Sequence, residues 1–349
     1  MIDRRRGAAR SRLLLTLVAG LALGVSPRGQ SVTPVAPVLT VTPDTSRPDF
    51  ARQLRDQADT DRHWAEASDG FMRMEKITYR SSLGDLDIPA FVFQPLTDAA
   101  PQSRAALVWV HENIRGHVYE HYIPYIRDAV ARGLVVIAPE YRGSIGYGRR
   151  FYNAIDYGGA EVDDVVTAAR VVAERYPSVD PARVGIIGWS HGGLITLLAI
   201  FRNPTTFHAA AAMVPVTNLF HRLARKGVEL QRREIDPQNR FGGSPSEKPD
   251  VYEARSPLFH VDQLQIPLLV HVADNDQDVE FDEAVQLVDA LHARKPALAD
   301  VKVYHNPTGG HMFDRLVTPQ GVPENSPEQR DSWSRVWQFF DDTLALSPQ

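Results

Sequence analysis

The chain contains no cysteine among its 349 residues. It therefore forms no disulfide and carries no lipid through a cysteine, so its stability must come from a hydrophobic core, which a chain of this length can supply. It also has no excess of basic residues, because 38 Lys and Arg stand against 43 Asp and Glu for a net charge of −5. Without a basic patch, no nucleic-acid partner is expected.

Long hydrophobic runs are missing as well. The most apolar stretch, Leu13–Val25, has about 13 residues, too few to span a bilayer at ~1.5 Å per residue. Because several arginines precede it, the stretch is typical of a secretory signal. We expect residues 1–25 to be a signal peptide, the mature protein to be periplasmic or secreted by a bacterium, and no stable membrane insertion after cleavage. An uncleaved membrane anchor is the alternative.

The next residues, 26–70, read as a linker and N-terminal extension, first rich in Pro, Ser, Thr and Val and then polar with weak helical character. Two segments rich in β-formers, Met74–Tyr79 and Ile88–Phe93, flank a short polar turn and predict a β-hairpin. We expect residues 71–349 to form one domain.

Apolar strands alternate with amphipathic helices through the rest of the chain. Such runs predict an α/β fold whose mostly parallel central sheet is covered by helices on both faces. The expected strands are Ala106–Val110, Leu134–Ile137, Val184–Ile187, Ala209–Val214, Leu268–Val270 and Val301–Tyr304.

Two further segments stand out between and after these strands. Ser326 begins a last helix, with Pro327 in its first turn and Gln329 closing a capping box. An insertion near residues 217–255 predicts a small cap over the carboxyl end of the sheet, where ligands bind in folds of this type, although its basic residues also fit a solvated helix face.

The segment Gly188–Gly193 reads Gly-Trp-Ser-His-Gly-Gly and lies between a predicted strand and a predicted helix. This is the nucleophile elbow, in which a serine stands on a sharp turn and small neighbours leave room for it. It marks Ser190 as a candidate nucleophile. A serine hydroxyl needs a base to attack a carbonyl, and the base needs an acid to orient it.

Both partners are available in the order Ser, Asp, His that this topology requires, each after a strand. His311 follows two glycines after the last strand, and His305 is its rival. The acid is open between Asp274, Asp276 and Asp278, which share one loop.

Four segments resemble the catalytic domain of the prolyl oligopeptidase family of serine peptidases, which has an α/β-hydrolase fold. They are Tyr141–Gly148, Gly188–Gly193, Ser256–Leu258 with the aspartate loop, and Gly310-His311. The Tyr-Arg-Gly-Ser start of the first segment is the most distinctive, although its residue types suggest no catalytic role.

The resemblance implies a triad of Ser190, Asp276 and His311, because the family's acid is followed three residues later by valine, here Val279. It also implies an oxyanion hole formed by the backbone N–H of His191 and a second donor just after the strand ending at Val110. At that place the candidates are His111, through its ring or backbone, and Glu112.

The chain also departs from the family's pattern. His111 stands where some relatives have a tyrosine, and Asp278 stands where peptidase members often have arginine or asparagine to hold a substrate carbonyl. The roughly 50 residues between the predicted signal peptide and the hairpin are too few for the family's β-propeller, which needs at least about four blades of four strands. The expected protein therefore lacks the propeller.

We expect a serine hydrolase of the prolyl oligopeptidase type that cleaves short peptides through an acyl-enzyme on Ser190, with no cofactor and no metal. An esterase acting on carboxylic esters with the same triad is the close alternative. The chain also contains His117-Val-Tyr-Glu120-His121, which has the spacing of a zinc-peptidase helix. A zinc peptidase that uses these three side chains is therefore a further alternative. A binding protein without activity on a hydrolase fold is the last alternative.

Overall fold

The computed structural model describes residues 48–225 and 240–346, except for the side chains of residues 224 and 225. The predicted signal peptide, the first part of the predicted linker and the middle of the 217–255 insertion lie outside these ranges. Within them, no helix combines the length and the hydropathy needed to cross a membrane.

The strands of the described ranges form one eight-stranded sheet in the order β1-β2-β4-β3-β5-β6-β7-β8. The hairpin β1–β2 is antiparallel and joins β4 antiparallel, whereas every later pairing is parallel. The predicted hairpin and the predicted strands are confirmed. Their bounds are β1 Met72–Arg80, β2 Asp87–Pro95, β3 Arg104–Val110, β4 Val135–Pro139, β5 Val179–Trp189, β6 Ala209–Met213, β7 Leu268–Ala273 and β8 Ala299–Tyr304.

Helices cover both faces of the sheet, as expected of an α/β-hydrolase. Successive side chains of β3 show the reason, because Val108 and Val110 enter one apolar layer while Leu107 and Trp109 enter the other. The first layer is completed by α4 (Ala160–Arg175), α5 (His191–Arg202) and α8 (Phe281–Arg294), and the second by α1 (Phe50–Ser68), α2 (Ile123–Ala131) and α9 (Pro327–Thr343).

Shorter helices lie in the connections. They are α3 (Gly148–Asn153), α6 (Leu219–Arg225) and α7 (Pro249–Ala254), with 3-10 turns at Glu120–Tyr122, Pro257–Gln263 and Gly310–Met312. Helices α6 and α7 belong to the 217–255 insertion. Phe241 of the insertion stacks on Tyr252 with ring centroids 4.7 Å apart and contacts Tyr157 edge-on at 5.6 Å, which joins this part of the insertion to the body of the domain.

The polar segment before the hairpin is a well-formed 19-residue helix, α1, although its pattern indicated only weak helical character. Asp49 caps it by accepting the N–H of Arg52 at 2.9 Å. Trp64 is fully buried, lies 4.8 Å from the ring of Phe93 and donates its indole N–H to the carbonyl of Val118. Tertiary packing around this one side chain outweighs the low apolar content of the rest of the helix.

The last helix, α9, begins at the predicted N-cap, but Gln329 does not close the predicted capping box. The Ser326 side chain accepts the N–H of Gln329 at 3.1 Å, and Pro327 lies in the first turn. The Gln329 side chain accepts from the N–H of Asn325, one residue before the position that a capping box uses. One apolar stripe of this helix and of the residue that follows it is buried, and its members are Trp333, Val336, Trp337, Phe340 and Leu344.

Candidate active site

Ser190 lies at the turn between β5 and α5 with φ 52° and ψ −115°. A non-glycine residue at positive φ is strained, and such strain is concentrated at functional sites. Two glycines make the turn possible. A Cβ on Gly188 would lie 2.4 Å from the carbonyl oxygen of Gly192, and a Cβ on Gly192 would lie 2.4 Å from the carbonyl oxygens of Val110 and His111. The motif therefore has the geometry of a nucleophile elbow.

The structure brings Asp276 and His311 together. Nδ1 of His311 lies 2.6 Å from Oδ2 of Asp276, and both side chains are largely buried. Asp276 follows β7 and His311 follows β8, whereas Ser190 follows β5, and these strands are parallel neighbours through β6. Because the carboxyl ends of parallel strands meet at one edge of a sheet, the three residues belong to the same edge.

The competing aspartate and histidine form a second pair. Nδ1 of His305 lies 2.9 Å from Oδ2 of Asp274, and Oδ1 of Asp274 accepts the N–H of Asn306. The His305 side chain is 82% exposed, in contrast to 11% for His311. The third candidate, Asp278, donates its backbone N–H to Asp276. The buried pair is therefore Asp276–His311, and the rival pair is a surface contact.

His191 is the expected source of the first oxyanion donor. It is the first residue of α5, so its backbone N–H has no acceptor inside the helix and lies at the positive end of the helix dipole. Its buried ring approaches Glu161, with Nε2 3.3 Å from Oε1, and contacts Tyr157 edge-on at 4.9 Å. Burial pushes the pKa of Glu161 upward, but the contact with His191 and the hydrogen bonds from backbone N–H groups, including that of Gly158, together bring the pKa below its usual value.

The ring of His111 faces the interior. Nδ1 lies 2.8 Å from the carbonyl oxygen of Glu112, and Nε2 lies 2.9 Å from Oγ of Ser144. Burial lowers the pKa of His111 to about 3, so the ring is neutral at physiological pH. Both ring nitrogens are thus engaged within the protein, and of the two expected sources of the second oxyanion donor the geometry favours a backbone N–H. That of Glu112 makes a long contact of 3.3 Å with the Tyr122 hydroxyl.

The Tyr-Arg-Gly-Ser segment supports this loop, a role that its residue types alone did not reveal. The Tyr141 hydroxyl reaches the carbonyl oxygens of His111 at 3.2 Å and Asn113 at 2.7 Å, and its ring stacks on His111 with centroids 4.1 Å apart. Oγ of Ser144 contacts Nε2 of the same imidazole. The segment therefore fixes both the backbone and the ring of the candidate oxyanion loop.

Arg142 anchors the segment to the rest of the domain. Its guanidinium donates to both carboxylate oxygens of Asp164 in α4, at 2.8 and 2.7 Å, and to the carbonyl of Leu83 at 2.7 Å. A bidentate pair of this kind fixes the relative orientation of the two side chains and also stabilises their contact. The arginine thus ties the loop after β4 to α4 and to the hairpin turn.

The zinc-like spacing does not produce a zinc-like cluster. Glu120 accepts from Thr60 at 2.8 Å and lies 3.3 Å from Nδ1 of His63, whereas Nε2 of His121 faces Glu112 at 3.4 Å. Across residues 48–225 and 240–346, no group of three or more His, Cys, Asp or Glu side chains is arranged to hold a metal ion.

Comparison with known proteins decides the family. The family model described as the prolyl oligopeptidase family matches residues 121–346, which contain all four resembling segments. The chain belongs to the prolyl oligopeptidase family. Curated members similar to it include an uncharacterized peptidase YuxL of Bacillus subtilis, 30% identical over 59% of this chain, and an acylamino-acid-releasing enzyme of Oryza sativa, 27% identical over 64%. The chain spans 30% and 29% of the length of these relatives.

Solved structures of the family confirm the fold. A puromycin-hydrolyzing peptidase of Mycobacterium tuberculosis superposes with a TM-score of 0.63 at 24% identity, covering 79% of this chain and 40% of that one. A structure of prolyl endopeptidases gives a TM-score of 0.64 at 22% identity, covering 79% of this chain and 39% of the other. At these identities the likeness concerns the fold, which is the α/β-hydrolase fold expected from the sequence.

Proposed function

We propose that the chain is a serine hydrolase that cleaves short peptides through an acyl-enzyme on Ser190. The observation that carries the proposal is the buried 2.6 Å contact between His311 and Asp276 at the sheet edge to which the Ser190 elbow belongs. A histidine held by a buried carboxylate is oriented to accept a proton from a serine hydroxyl.

The three triad residues have different roles in this reaction. Ser190 attacks the carbonyl carbon, His311 takes the hydroxyl proton and returns it to the leaving group, and Asp276 orients the imidazole and stabilises its charged form. The backbone N–H of His191 and one from the loop after β3 bind the oxyanion. Water then attacks the acyl-enzyme with His311 as base, so the cycle needs neither a metal nor a cofactor.

The relatives support a peptide substrate. They include acylamino-acid-releasing enzymes and a dipeptidyl peptidase, and a similar structure is a puromycin-hydrolyzing peptidase. A peptide substrate is therefore proposed for this chain and not taken over from its relatives, because the chain spans less than half the length of each of these proteins.

One observation favours an esterase as the second candidate. Asp278 occupies the position at which peptidase members often hold a substrate carbonyl with arginine or asparagine, and an ionised carboxylate cannot donate a hydrogen bond. Its backbone is fixed, since its N–H donates to Asp276 and its carbonyl accepts from Arg222. An ester is more reactive than an amide, because an alkoxide is the better leaving group, so its hydrolysis depends less on an additional contact that holds the substrate.

Fluorophosphonate labelling of the wild type and of Ser190→Ala tests the serine. We expect label in the wild type only, and hydrolysis in Ser190→Ala to fall by about 10⁶ in kcat. Unchanged hydrolysis by Ser190→Ala would exclude the proposal. Parallel assays on an aminoacyl-peptide anilide and a p-nitrophenyl ester then separate the two candidates, because amide turnover at background with rapid ester turnover identifies an esterase.

A further inference from the structure

A fully buried arginine, Arg315, lies four residues after His311 and contacts the backbone of that residue. Its Nη1 donates to the carbonyl oxygen of His311 at 2.9 Å and to Oδ1 of Asp314 at 2.7 Å. Its Nε donates to Oε2 of Glu112 at 2.7 Å. The Arg315 side chain has 0% exposure.

The two carboxylates extend the network to the other parts of the candidate site. Glu112 follows β3 in the candidate oxyanion loop. Asp314 accepts the indole N–H of Trp189 at 2.7 Å through its second oxygen, and Trp189 is the residue directly before Ser190. One guanidinium thus joins the histidine loop to the oxyanion loop and, through Asp314, to the nucleophile elbow.

Stability alone is a weak reason to bury these charges. Removing a guanidinium and two carboxylates from water is costly, and a well-packed apolar replacement is often as stable or more so. A buried ionic network does impose one geometry on the groups that it connects. Here the network connects the His311 loop, the candidate oxyanion loop and the nucleophile elbow. The reacting groups on these three segments must be placed within fractions of an ångström of one another's required positions.

We propose that Arg315 is a positioning residue for the proposed acyl transfer, holding the His311 loop in register with the oxyanion loop and the nucleophile elbow. The proposal rests on the proposed function of Ser190, Asp276 and His311. Lysine cannot replace this residue, because its single ammonium lacks the rigid fork with which arginine donates in several directions at once.

Arg315→Lys keeps a buried cation and is the first test. Since misplacement by about 1 Å can cost about 10²-fold in rate, we expect kcat on a p-nitrophenyl ester to fall at least tenfold, with KM changed by less than threefold. The rate of fluorophosphonate labelling should fall in parallel. The matched control is Arg132→Lys, in which a half-buried arginine that pairs with Asp341 at 3.1 Å is changed the same way. We expect it to stay within about twofold of wild type.

A second variant separates positioning from folding. Arg315→Met combined with Glu112→Gln removes both charges of one pair and should unfold at a higher urea concentration than Arg315→Met alone. Its kcat should remain as low as that of Arg315→Lys. Recovery of wild-type kcat in this variant, or wild-type kcat in Arg315→Lys, would show that the network is only structural and would overturn the proposal.

Asp314→Asn carries the test if no Arg315 variant folds. It keeps the buried arginine and its bond to Glu112 but removes the charge that links Arg315 to Trp189. A fall in kcat at nearly constant KM supports the positioning role, and wild-type kcat contradicts it. Ser190→Ala is assayed beside every variant, because its failure to lose activity would refute the proposed function whatever Arg315 does.

Discussion

Val279 donates its backbone N–H to Oδ1 of Asp276 at 2.9 Å. Asp278 donates a second N–H to the same oxygen at 2.8 Å, which leaves Oδ2 for His311 at 2.6 Å. The Val279 side chain is buried and holds this turn against the core. The spacing of acid and valine that the sequence shares with the family thus has a physical meaning, since the turn holds one carboxylate oxygen and turns the other toward His311.

Asp276→Asn should abolish most of the activity. An amide in place of the carboxylate cannot stabilise the imidazolium and favours the wrong tautomer of His311, so we expect kcat to fall by about 10³–10⁴ with KM little changed. Steady-state kinetics on an ester substrate measure the loss. Asp274→Asn is the control, because Asp274 pairs with the exposed His305, and it should retain nearly full activity. Equal losses in the two variants would contradict the assignment of the acid.

Tyr141→Phe should weaken the oxyanion hole without unfolding the protein. It deletes the hydroxyl that contacts the carbonyls of His111 and Asn113 but leaves the stacked ring in place. We expect kcat/KM to fall by about tenfold, less than the 10²–10³ that loss of an oxyanion donor itself costs. Tyr176→Phe removes a hydroxyl bound to Glu75 and serves as the control. If both variants match the wild type, the loop does not need this clamp.

Trp64→Ala should destabilise the whole domain. The indole is fully buried between α1 and the sheet and its N–H is bound to Val118, so truncation leaves a cavity and an unpaired carbonyl. Large-to-small changes of this kind cost about 3–5 kcal/mol. Urea unfolding followed by tryptophan fluorescence and circular dichroism measures the change. Leu54→Ala on the same helix, where the side chain is exposed, should have little effect, and equal effects would mean that α1 does not dock through Trp64.

Glu140→Gln should change how stability depends on pH. Burial raises the pKa of Glu140 to about 8, whereas the carboxyl ionises near 4.5 in the unfolded chain. Between these values the folded protein binds more protons than the unfolded one, so the stability of the wild type relative to the glutamine variant should fall as pH rises from about 5 to 8. Urea unfolding at three pH values measures it.

Exposed Glu66→Gln is the matched control for the pH experiment and should show no such trend. A difference between Glu140→Gln and wild type that is constant from pH 5 to 8 would contradict a protonated Glu140. The neighbouring His111, whose ring lies 3.6 Å from Oε2 of Glu140, is present in both proteins, so the change in stability that accompanies its own titration cancels in the comparison.

Local patterns predicted the elements of the fold and the places where candidate site residues follow strands. Continuous apolar strands, the Ser326 cap and the glycines around Ser190 each act over a few residues, so they are legible in the sequence. The choice between Asp274, Asp276 and Asp278 was not, because all three share one loop. The resemblance to the family favours Asp276 as the acid, and the burial of the Asp276–His311 pair supports this choice.

The sequence by itself determined the α/β architecture, the elbow at Ser190 and the strand ends that carry His305 and His311, because periodicity and turn chemistry specify local structure. Only the tertiary structure decided that the ring of His111 faces inward, that Tyr141 clamps the candidate oxyanion loop and that Arg315 joins three distant loops. Those contacts link residues about 30 to 200 positions apart, and a buried charge or hydroxyl finds its partner only through packing, which no local pattern encodes.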